Sequence, residues 1–338
     1  MIQVTHNSTK FYPVFRYFTR VNKFFKSRKD TVIFKKMLLF SLIFTAFSFA
    51  QAPELVVRQE GTMFINPKVS PDGKLLAFTQ EGYRGLFIMN DKNEITKITD
   101  DPAAGFGFSW LHDNSGIVAR PAKYDGMKRS NGAAIYYLNG NAPVEISEFS
   151  TKTTTLPGVS TGGEVFFLQN GVVHAYSNTS RSSEERSPAG VAAFIENDKI
   201  SVTTTAGEKR VIEPVKGERC INAALSPDGN KVVFEVMGGD LYIINSDGTG
   251  LIDLGTGYRG AWSPDSKKVT YMLTTDDGHQ LTSSQIYTVN ADGTNKTKIT
   301  NFSHFLPIDP SFSADGKFIY FANITDGSIM KISAEAAK

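Results

Sequence analysis

The sequence predicts an all-β protein, a single β-propeller of four-stranded antiparallel blades whose ring is closed by an N-terminal strand. Three observations predict this fold. A tight-turn motif recurs along the chain, each copy precedes residues that alternate as in a β-strand, and no amphipathic helical pattern follows residue 50. Four short strands per repeat, at the spacing of one blade, indicate sheets arranged around a channel.

The turn motif has four clear copies. Ser70-Pro71-Asp72-Gly73 recurs as Ser-Pro-Asp-Gly at 226–229, as Ser-Pro-Asp-Ser at 263–266 and as Ser-Ala-Asp-Gly at 313–316. Proline presets φ, aspartate bonds back to the backbone and glycine takes a positive φ, and together these define a tight turn. Residues 75–78 then alternate with the period of a strand. A second hairpin signal, Asp-Gly-Thr, stands at 247–249 and 292–294.

The number of blades follows from one marker residue in each repeat. Degraded copies and a faint copy at 197–202 bring the total to seven. The markers are 41, 49, 34, 32, 37 and 50 residues apart, close to the ~40–45 residues of a propeller blade. We predict seven blades, or six if the faint copy is not a blade. The markers are Asp72, Asp113, Gly162, Glu196, Asp228, Asp265 and Asp315.

The two ends of the repeat region indicate how the ring closes. The last repeat has no outer strand after residues 328–332, whereas residues 54–59 form a spare strand ahead of the first repeat. The spare strand can complete the last blade. We therefore assign the propeller to residues 51–338.

The first 50 residues predict a targeting segment. Lys35 and Lys36 precede a short apolar run that ends in small residues at Ala50, the pattern of a secretory signal peptide. We interpret 37–50 as the signal peptide and 1–36 as an upstream leader or a misassigned start. Cleavage would leave Gln51 or Pro53 first, in a periplasmic or secreted protein with no stable membrane span. An N-terminal anchor helix is the alternative.

The charge balance argues against nucleic acid as a partner. Residues 51–338 carry 27 basic and 33 acidic side chains, so the propeller has no general attraction to phosphate backbones. The single cysteine, Cys220, cannot form an internal disulfide. We expect a monomer.

The Ser-Pro-Asp-Gly turns, the Asp-Gly-Thr turns and the closing Ile-Thr pairs at 98–99 and 299–300 resemble the WD-like repeats of TolB-like propellers, over residues 54–338. Similar repeats occur in the propellers of dipeptidyl-peptidase-type enzymes and of oligogalacturonate lyases. The resemblance implies a propeller fold and a partner-binding role in the cell envelope. It covers the propeller alone, because residues 51–70 leave no room for the α/β domain that precedes the propeller in TolB.

One pentapeptide matches the nucleophile-elbow pattern of hydrolases, Gly158-Val159-Ser160-Thr161-Gly162. That elbow requires a strand before the serine and a helix after it. Ser160 instead aligns with the first serine of the repeated turn. We interpret it as structural and expect no catalytic residue.

The histidines do not form a metal-binding motif. Those after residue 50 are His112, His174, His279 and His304, and they lack the close spacing of metal ligands. Resemblance to oligogalacturonate lyases implies a metal held by histidine and glutamine at the channel mouth, for which His279 with Gln280, and His304, are the counterparts. We expect no metal and no cofactor, and keep the lyase as the alternative function.

The longest connections point to one face for recognition. In a blade, the loop between the second and third strands and the connection to the next blade emerge on one side, which we call the loop face. The long loops 120–134 and 274–285 and the connections 100–106 and 301–307 belong to it. Long loops on a rigid scaffold often carry binding residues. The candidate binding residues there are Lys123, Tyr124, Arg129, His279 and His304.

A second group of candidates lies in the innermost strands. Aligning the repeats on their turns gives one common position early in that strand, where polar side chains should surround the channel mouth. Arg259 suits a carboxylate ligand, although an Arg259–Asp309 pair that simply closes the ring is the other interpretation. The aligned residues are Asn66, Gly107, Asn222, Arg259 and Asp309.

Two functions fit these features best, and a third interpretation makes the chain a partner subunit in envelope assembly. The first is an exported, non-catalytic propeller that binds a protein or glycan partner at its loop face. The second is a propeller enzyme of the oligogalacturonate-lyase kind. Stoichiometric metal together with unsaturated products from acidic polysaccharides would distinguish the second from the first.

Overall fold

The computed structural model describes residues 52–152, 155–177, 190–204 and 208–335. The predicted leader (1–36), the predicted signal peptide (37–50) and Gln51 lie outside the described residues. Within those ranges the chain forms seven antiparallel sheets of three or four strands and one two-stranded sheet, and the only helix is a short 3₁₀ turn at Glu81–Tyr83. No helix in this part of the chain has the length and apolar character needed to cross a membrane.

The seven sheets are the blades of the predicted propeller. The first strands of neighbouring blades contact one another, so these strands surround the central channel. The strands, in chain order, are β1 (Glu54–Val57), β2 (Phe64–Val69), β3 (Leu76–Gln80), β4 (Leu86–Met89), β5 (Ile95–Thr99), β6 (Phe108–Trp110), β7 (Gly116–Ala119), β8 (Ala122–Asp125), β9 (Lys128–Asn131), β10 (Ala134–Tyr137), β11 (Val144–Glu145), β12 (Gly158–Val159), β13 (Val165–Gln169), β14 (Val172–Tyr176), β15 (Val191–Glu196), β16 (Lys199–Thr204), β17 (Lys209–Ile212), β18 (Cys220–Leu225), β19 (Lys231–Val236), β20 (Asp240–Asn245), β21 (Ile252–Thr256), β22 (Tyr258–Trp262), β23 (Lys268–Asp276), β24 (Leu281–Asn290), β25 (Thr297–Lys298), β26 (Pro307–Phe312), β27 (Phe318–Asn323) and β28 (Ser328–Ser333).

The blades follow one another in chain order. Blade 1 is β2 to β5, blade 2 is β6, β7, β10 and β11, blade 3 is β12 to β14, blade 4 is β15 to β17, blade 5 is β18 to β21, blade 6 is β22 to β25, and blade 7 is β26 to β28 with β1. Five blades have the predicted four strands. Blades 3 and 4 have three strands within the described residues.

The ring closes as the sequence predicts, because β1 adds the outer strand of blade 7. It pairs antiparallel with β28, and Glu54 also forms an ion pair of 3.1 Å with Lys331. Val57 is buried in the core cluster that contains Phe64. At the channel, the Ser311 hydroxyl of blade 7 donates a hydrogen bond of 2.6 Å to the Pro67 carbonyl of blade 1.

The repeated turn has the same hydrogen bonds in each clear copy. The buried Ser70 hydroxyl donates to the Asp72 carboxylate at 2.7 Å, and the Lys74 amide donates to the same carboxylate at 3.1 Å. Blades 5, 6 and 7 repeat this arrangement at 2.6–2.7 Å. Because these bonds favour the charged form, the pKa of Asp72 lies below its ordinary value. The turn is therefore a structural element that joins the first two strands of a blade.

The faint copy of the repeat is a true blade built on a different turn. Asn197 and Asp198 have φ of 47° and 64° and join β15 to β16 in register. Two successive positive φ values match a type I′ hairpin, which twists the same way as the strands. Blade 4 therefore keeps the hairpin without the Ser-Pro-Asp sequence, and the propeller has seven blades rather than six.

Tryptophans in two first strands fasten neighbouring blades together. The Trp110 indole NH donates to the Lys68 carbonyl, and the Trp262 indole NH donates to the Ala224 carbonyl, each at 2.9 Å. Each bond runs from one blade to the first strand of the preceding blade. The innermost backbone is thereby held in place beside the channel.

The two long connections predicted on the loop face do join the second strand of a blade to the third, and they are built as β-hairpins. In the range 120–134, β8 and β9 pair with each other in a separate two-stranded sheet. In the range 274–285, β23 and β24 continue their pairing as far as Asp276 and Leu281. A paired hairpin satisfies the backbone polar groups of a long excursion. We call these the blade-2 hairpin (122–131) and the blade-6 hairpin (274–285).

Candidate functional site

The aligned channel residues share an unusual backbone conformation. Asn66, Asn222, Arg259 and Asp309 have φ of 54°, 51°, 58° and 51°. Each lies where the register between the first and second strands shifts, which is the mark of a β-bulge. Asparagine and aspartate tolerate this left-handed conformation well, whereas arginine adopts it seldom. The four residues occupy equivalent places in blades 1, 5, 6 and 7.

Gly107 is the member of the aligned set that differs. It precedes β6, and blade 2 has no register shift at this point. A Cβ atom at Gly107 would lie 2.6 Å from the Leu156 side chain of blade 3. A larger residue here would have to displace the Leu156 side chain, and the glycine contributes no polar group to the channel.

Arg259 and Asp309 form an ion pair between blades 6 and 7. Arg259 Nε lies 3.6 Å from Asp309 Oδ1, and the two side chains are 36% and 11% exposed. Asp309 also accepts a hydrogen bond from the backbone amide of Asn66 in blade 1. Burial raises the pKa of Asp309, while the charges of Arg259 and Lys68 oppose that shift. Asp309 thus joins three consecutive blades.

A buried carboxylate that sequence analysis did not single out belongs to the same cluster. Glu235, on β19 of blade 5, is 4% exposed. Its Oε1 accepts the backbone amide of Arg259 at 2.7 Å, and the Asn222 side chain bonds to it as well. Burial raises its pKa, and these hydrogen bonds oppose the rise. Glu235 therefore connects blade 5 to the bulge of blade 6.

Lys68 is the second charged residue that the repeat alignment missed. Its Nζ donates to the Phe108 carbonyl of blade 2 at 2.6 Å and lies 4.9 Å from the centre of the Phe108 ring. Burial lowers its pKa to about 8, an effect that Arg259 reinforces and Asp309 opposes. Lys68 stands two positions after Asn66, beyond the β-bulge, so the simple alternation of a strand gave no indication of its place.

The channel cluster therefore contains two cations and two carboxylates. Three predicted residues meet there directly, namely Asn66, Arg259 and Asp309, and Asn222 joins through Glu235. Asn66 further bonds the Gly105 carbonyl at 3.0 Å, which ties blade 1 to the connection leading into blade 2. Most of these contacts link one blade to the next, which supports a structural role for the Arg259–Asp309 pair.

The other predicted residues lie on the loop face. Lys123, Tyr124 and Arg129 are together on the blade-2 hairpin, where Tyr124 pairs across the sheet with Arg129. Lys123 Nζ makes a 2.6 Å ion pair with Glu145 and lies 3.9 Å from the centre of the Phe149 ring. These contacts fix the base of the hairpin against blade 2.

The outer part of the blade-2 hairpin exposes apolar side chains. Met127 in the turn is fully exposed, at 102%, and Tyr124 is 56% exposed. Arg129 Nε donates to Asn131 within the hairpin at 3.1 Å. The Ala122 amide donates to the Pro102 carbonyl, which attaches the hairpin to the connection between blades 1 and 2. A rigid base thus carries an exposed apolar and cationic tip.

An aromatic patch adjoins the base of that hairpin. Phe106 is 37% exposed and packs edge to face against Tyr83 at 5.0 Å between ring centres. The Arg120 guanidinium lies 5.7 Å from the centre of the Phe106 ring. The charge of Arg129 acts on Arg120 and lowers its pKa, although burial is the larger cause. The patch and the hairpin therefore form one region of the loop face.

The two predicted histidines are separate exposed groups. His279 lies in the turn of the blade-6 hairpin, and its amide donates to Asp277 at 2.9 Å. His304 lies in the connection between blades 6 and 7. Within the described ranges, no group of three or more histidine, cysteine, aspartate or glutamate side chains is arranged to hold a metal ion.

Ser160 has the structural role that the repeat predicts. It is 1% exposed, its hydroxyl donates to the Glu164 carboxylate at 2.5 Å, and it accepts the amides of Gly162 and Glu164. The chain on either side forms strands β12 and β13, and the helix that a nucleophile elbow requires is not there. A hydroxyl committed to its own turn is not presented to a substrate.

Comparison with known proteins agrees with the fold. The chain is similar to the β-propeller domain of Cps50 (Swd1) from Myceliophteria thermophila, with a TM-score of 0.52, 10% identity and coverage of 84% of this chain and 100% of that one. It is also similar to an oligogalacturonate lyase from Vibrio parahaemolyticus (TM-score 0.48, 12% identity, 83% and 80% covered). A third structure is TolB from Acinetobacter baumannii (TM-score 0.45, 13% identity, 81% and 64% covered).

These similarities concern the fold alone. An oligogalacturonate lyase and a TolB, two of the three propeller classes named above, are among the similar structures, each with a TM-score below 0.5. No protein-family model matches the chain, and no curated protein matches it. At identities of 10–13%, shared architecture carries no residue-level function.

Proposed function

We propose that this protein is exported and acts as a non-catalytic β-propeller that binds a protein or glycan partner at its loop face, in a TolB-like role in the cell envelope. Export rests on the pattern of Lys35 and Lys36 ahead of the apolar run to Ala50. The envelope role rests on the resemblance of the repeated turns. The binding role rests on the loop face itself.

The observation that carries the binding role is the exposed tip of the blade-2 hairpin. Met127 and Tyr124 lie open to solvent on a two-stranded sheet outside every blade. Methionine, tyrosine, phenylalanine and arginine are enriched at protein interfaces, and contiguous exposed apolar surface often marks one. Phe106 and Arg120 extend the same region. A protein partner fits this composition best, and a glycan could stack on the same aromatic rings.

The channel mouth offers a secondary contact. The Arg259 side chain is about one-third exposed, and its ion pair with Asp309 uses Nε. Among the described residues its terminal guanidinium nitrogens make no hydrogen bond, so they can receive a carboxylate from a partner. This contact would add specificity to binding at the hairpin.

Quantitative capture from solubilised cell envelope tests the proposal. We expect the double variant Tyr124→Ser with Met127→Ser to retain less than about one-tenth of the partner that the wild type retains, as when an interface hot spot is removed. Val211→Ser with Leu251→Ser is the matched control, because these side chains are 53% and 43% exposed on the outer edges of blades 4 and 5. The same variants are applied to immobilised polysaccharides.

Equal retention by the loop-face variant and the wild type would contradict the proposal. Release of unsaturated products from acidic polysaccharides, with stoichiometric metal in the protein, would replace it with the lyase function. N-terminal sequencing of exported material tests the first clause separately. We expect Gln51 or Pro53 as the first residue, and a retained Met1 or Met37 would overturn export by cleavage.

A further inference from the structure

The blade-2 and blade-6 hairpins carry opposite charge on the same face of the ring. Both connect the second strand of a blade to the third, β7 to β10 in one case and β23 to β24 in the other, and so both emerge on the loop face. Residues 122–131 contain three basic side chains and one acidic side chain. Residues 274–285 contain two acidic side chains and no lysine or arginine.

The cations of the blade-2 hairpin are available to a partner. Lys128 and Arg129 are exposed, and within the described ranges neither makes an ion pair. Lys123 differs, since Glu145 holds it at the base. Met127 stands between these cations and the Gly126 turn with its whole side chain in solvent. The tip therefore combines positive charge with an apolar anchor.

The acids of the blade-6 hairpin, Asp276 and Asp277, are exposed and available to a partner. The Asp277 carboxylate accepts the amides of His279 and Gln280, each at 2.9 Å, and these bonds hold its pKa below the ordinary value. Asp276 accepts the Gly278 amide at 2.9 Å. Backbone amides orient both carboxylates, and no cation among the described residues pairs with either. A fixed pair of unneutralised carboxylates suits a cationic partner surface.

The positions of the two hairpins make the face self-complementary. Blades 6, 7, 1 and 2 follow one another around the ring, with the Ser311–Pro67 bond joining blade 7 to blade 1. The hairpins are thus three blade positions apart, nearly opposite each other across the channel mouth. A two-fold axis that lies in the face and bisects them places the blade-2 hairpin of one molecule on the blade-6 hairpin of the other. The symmetry then creates the same contact twice.

We propose that two copies of this chain associate through their loop faces, each blade-2 hairpin contacting the blade-6 hairpin of the other copy. This inference rests on the proposed function, because it names a second copy as an occupant of the binding face. It replaces the monomer expected from the sequence. Since the contacts are small and polar, the dimer is weak and salt-sensitive, and another partner can displace the second copy.

Analytical ultracentrifugation with charge-swapped variants tests the dimer. The first variant is Lys128→Glu with Arg129→Glu. The second is Asp276→Lys with Asp277→Asn, in which asparagine keeps an acceptor oxygen for the turn amides. Each variant alone places like charges opposite each other at both contacts, so we expect its association constant to fall at least about tenfold. In an equimolar mixture opposite charges meet at both contacts again, and we expect a one-to-one heterodimer.

Two controls complete the design. Lys92→Glu with Lys267→Glu reverses two exposed charges on the opposite face and should associate like the wild type. Raising salt from about 0.01 M to about 0.1 M shortens the Debye length from about 30 Å to about 10 Å and should weaken wild-type association. Circular dichroism and thermal unfolding confirm that each variant is folded.

Several outcomes would overturn the dimer. They are a wild type that stays monomeric at low salt, variants that associate as the wild type does, or folded variants that fail to pair when mixed. These results leave the capture experiment untouched. If capture of a different protein depends on Tyr124 and Met127 while sedimentation shows a monomer, only the dimer fails. If the dimer forms and neither the wild type nor the loop-face variant captures a partner, only the proposed function fails.

Discussion

The ion pair between Arg259 and Asp309 permits a direct choice between a structural and a ligand-binding channel mouth. At about 4 Å, opposite charges attract by about 4 kcal/mol at an effective dielectric constant of about 20. The observed separation is 3.6 Å, but Arg259 is 36% exposed, so solvent screens much of this attraction. Exposed pairs contribute about 0.2–1 kcal/mol, and loss of one partner from a buried pair costs about 3–5 kcal/mol. We expect a coupling free energy of about 1–2 kcal/mol.

A double-mutant cycle measures that coupling. The variants are Arg259→Ala, Asp309→Asn and the double variant, studied by urea unfolding and followed by the fluorescence of Trp110 and Trp262. Asparagine suits the left-handed backbone at residue 309, where φ is 51°. Arg259→Gly is the control for backbone strain at φ 58°, and it should be about 0.5–1 kcal/mol more stable than Arg259→Ala.

The outcome decides between the two interpretations of the channel mouth. A coupling of about 1–2 kcal/mol, with normal partner capture by the folded Arg259→Ala protein, means that the pair holds blades 6 and 7 together. A coupling below about 0.3 kcal/mol would refute the structural account. Loss of capture without loss of stability would show that Arg259 serves the ligand.

Three further predictions concern the ring and its buried charges. Gly126→Ala should lower the free energy of unfolding in urea by about 1 kcal/mol, because φ is 57° there and no atom lies near the new Cβ. Gly327→Ala should lower it by at least about 2 kcal/mol more, because its Cβ would lie 2.5 Å from the Thr62 carbonyl oxygen between blades 7 and 1. Burial lowers the pKa of Lys68 to about 8, so the charged form is disfavoured in the folded state. The stability of the wild type relative to Lys68→Met should therefore rise as pH increases from about 8 to about 10.5. A stability difference that does not change with pH would contradict the burial of Lys68. Burial raises the pKa of Glu235, so the wild type should lose stability relative to Glu235→Gln as pH rises from the ordinary glutamate pKa through the raised one. If the wild type gained stability over that range instead, the interactions of Glu235 with Arg259 would outweigh its burial.

The repeated turn was predictable because its chemistry is local. Ser70 and Asp72 form their hydrogen bonds within a few residues, so the motif gives the same turn even in the copies that carry Ser266 or Ala314. Blade 4 was harder to recognise, since Asn197 and Asp198 reach the same hairpin through a different turn. Equivalent backbone shapes need not share a sequence, and the six-bladed alternative remained open for that reason.

The channel mouth was only partly predictable. Repeat alignment placed Asn66, Arg259 and Asp309 at equivalent positions, and the structure brings them together. It gave no indication of Glu235, which lies on a second strand and reaches the bulge of the next blade. That contact depends on how neighbouring blades stack, and stacking is not encoded at any fixed spacing along one repeat.

The sequence by itself determined the all-β class, the turn chemistry, the closure of the ring by residues 54–57 and the face on which the long connections emerge. Each of these follows from local periodicity or from the topology of a repeated hairpin. Only the tertiary structure decided that the excursions at 120–134 and 274–285 are paired hairpins. It also decided that Lys123 is held at the base of the blade-2 hairpin while Met127 is fully exposed, and that the oppositely charged blade-2 and blade-6 hairpins stand across the channel mouth from each other. The physical reason is that pairing, burial and charge compensation depend on groups far apart in the chain, which meet only when seven blades close into a ring.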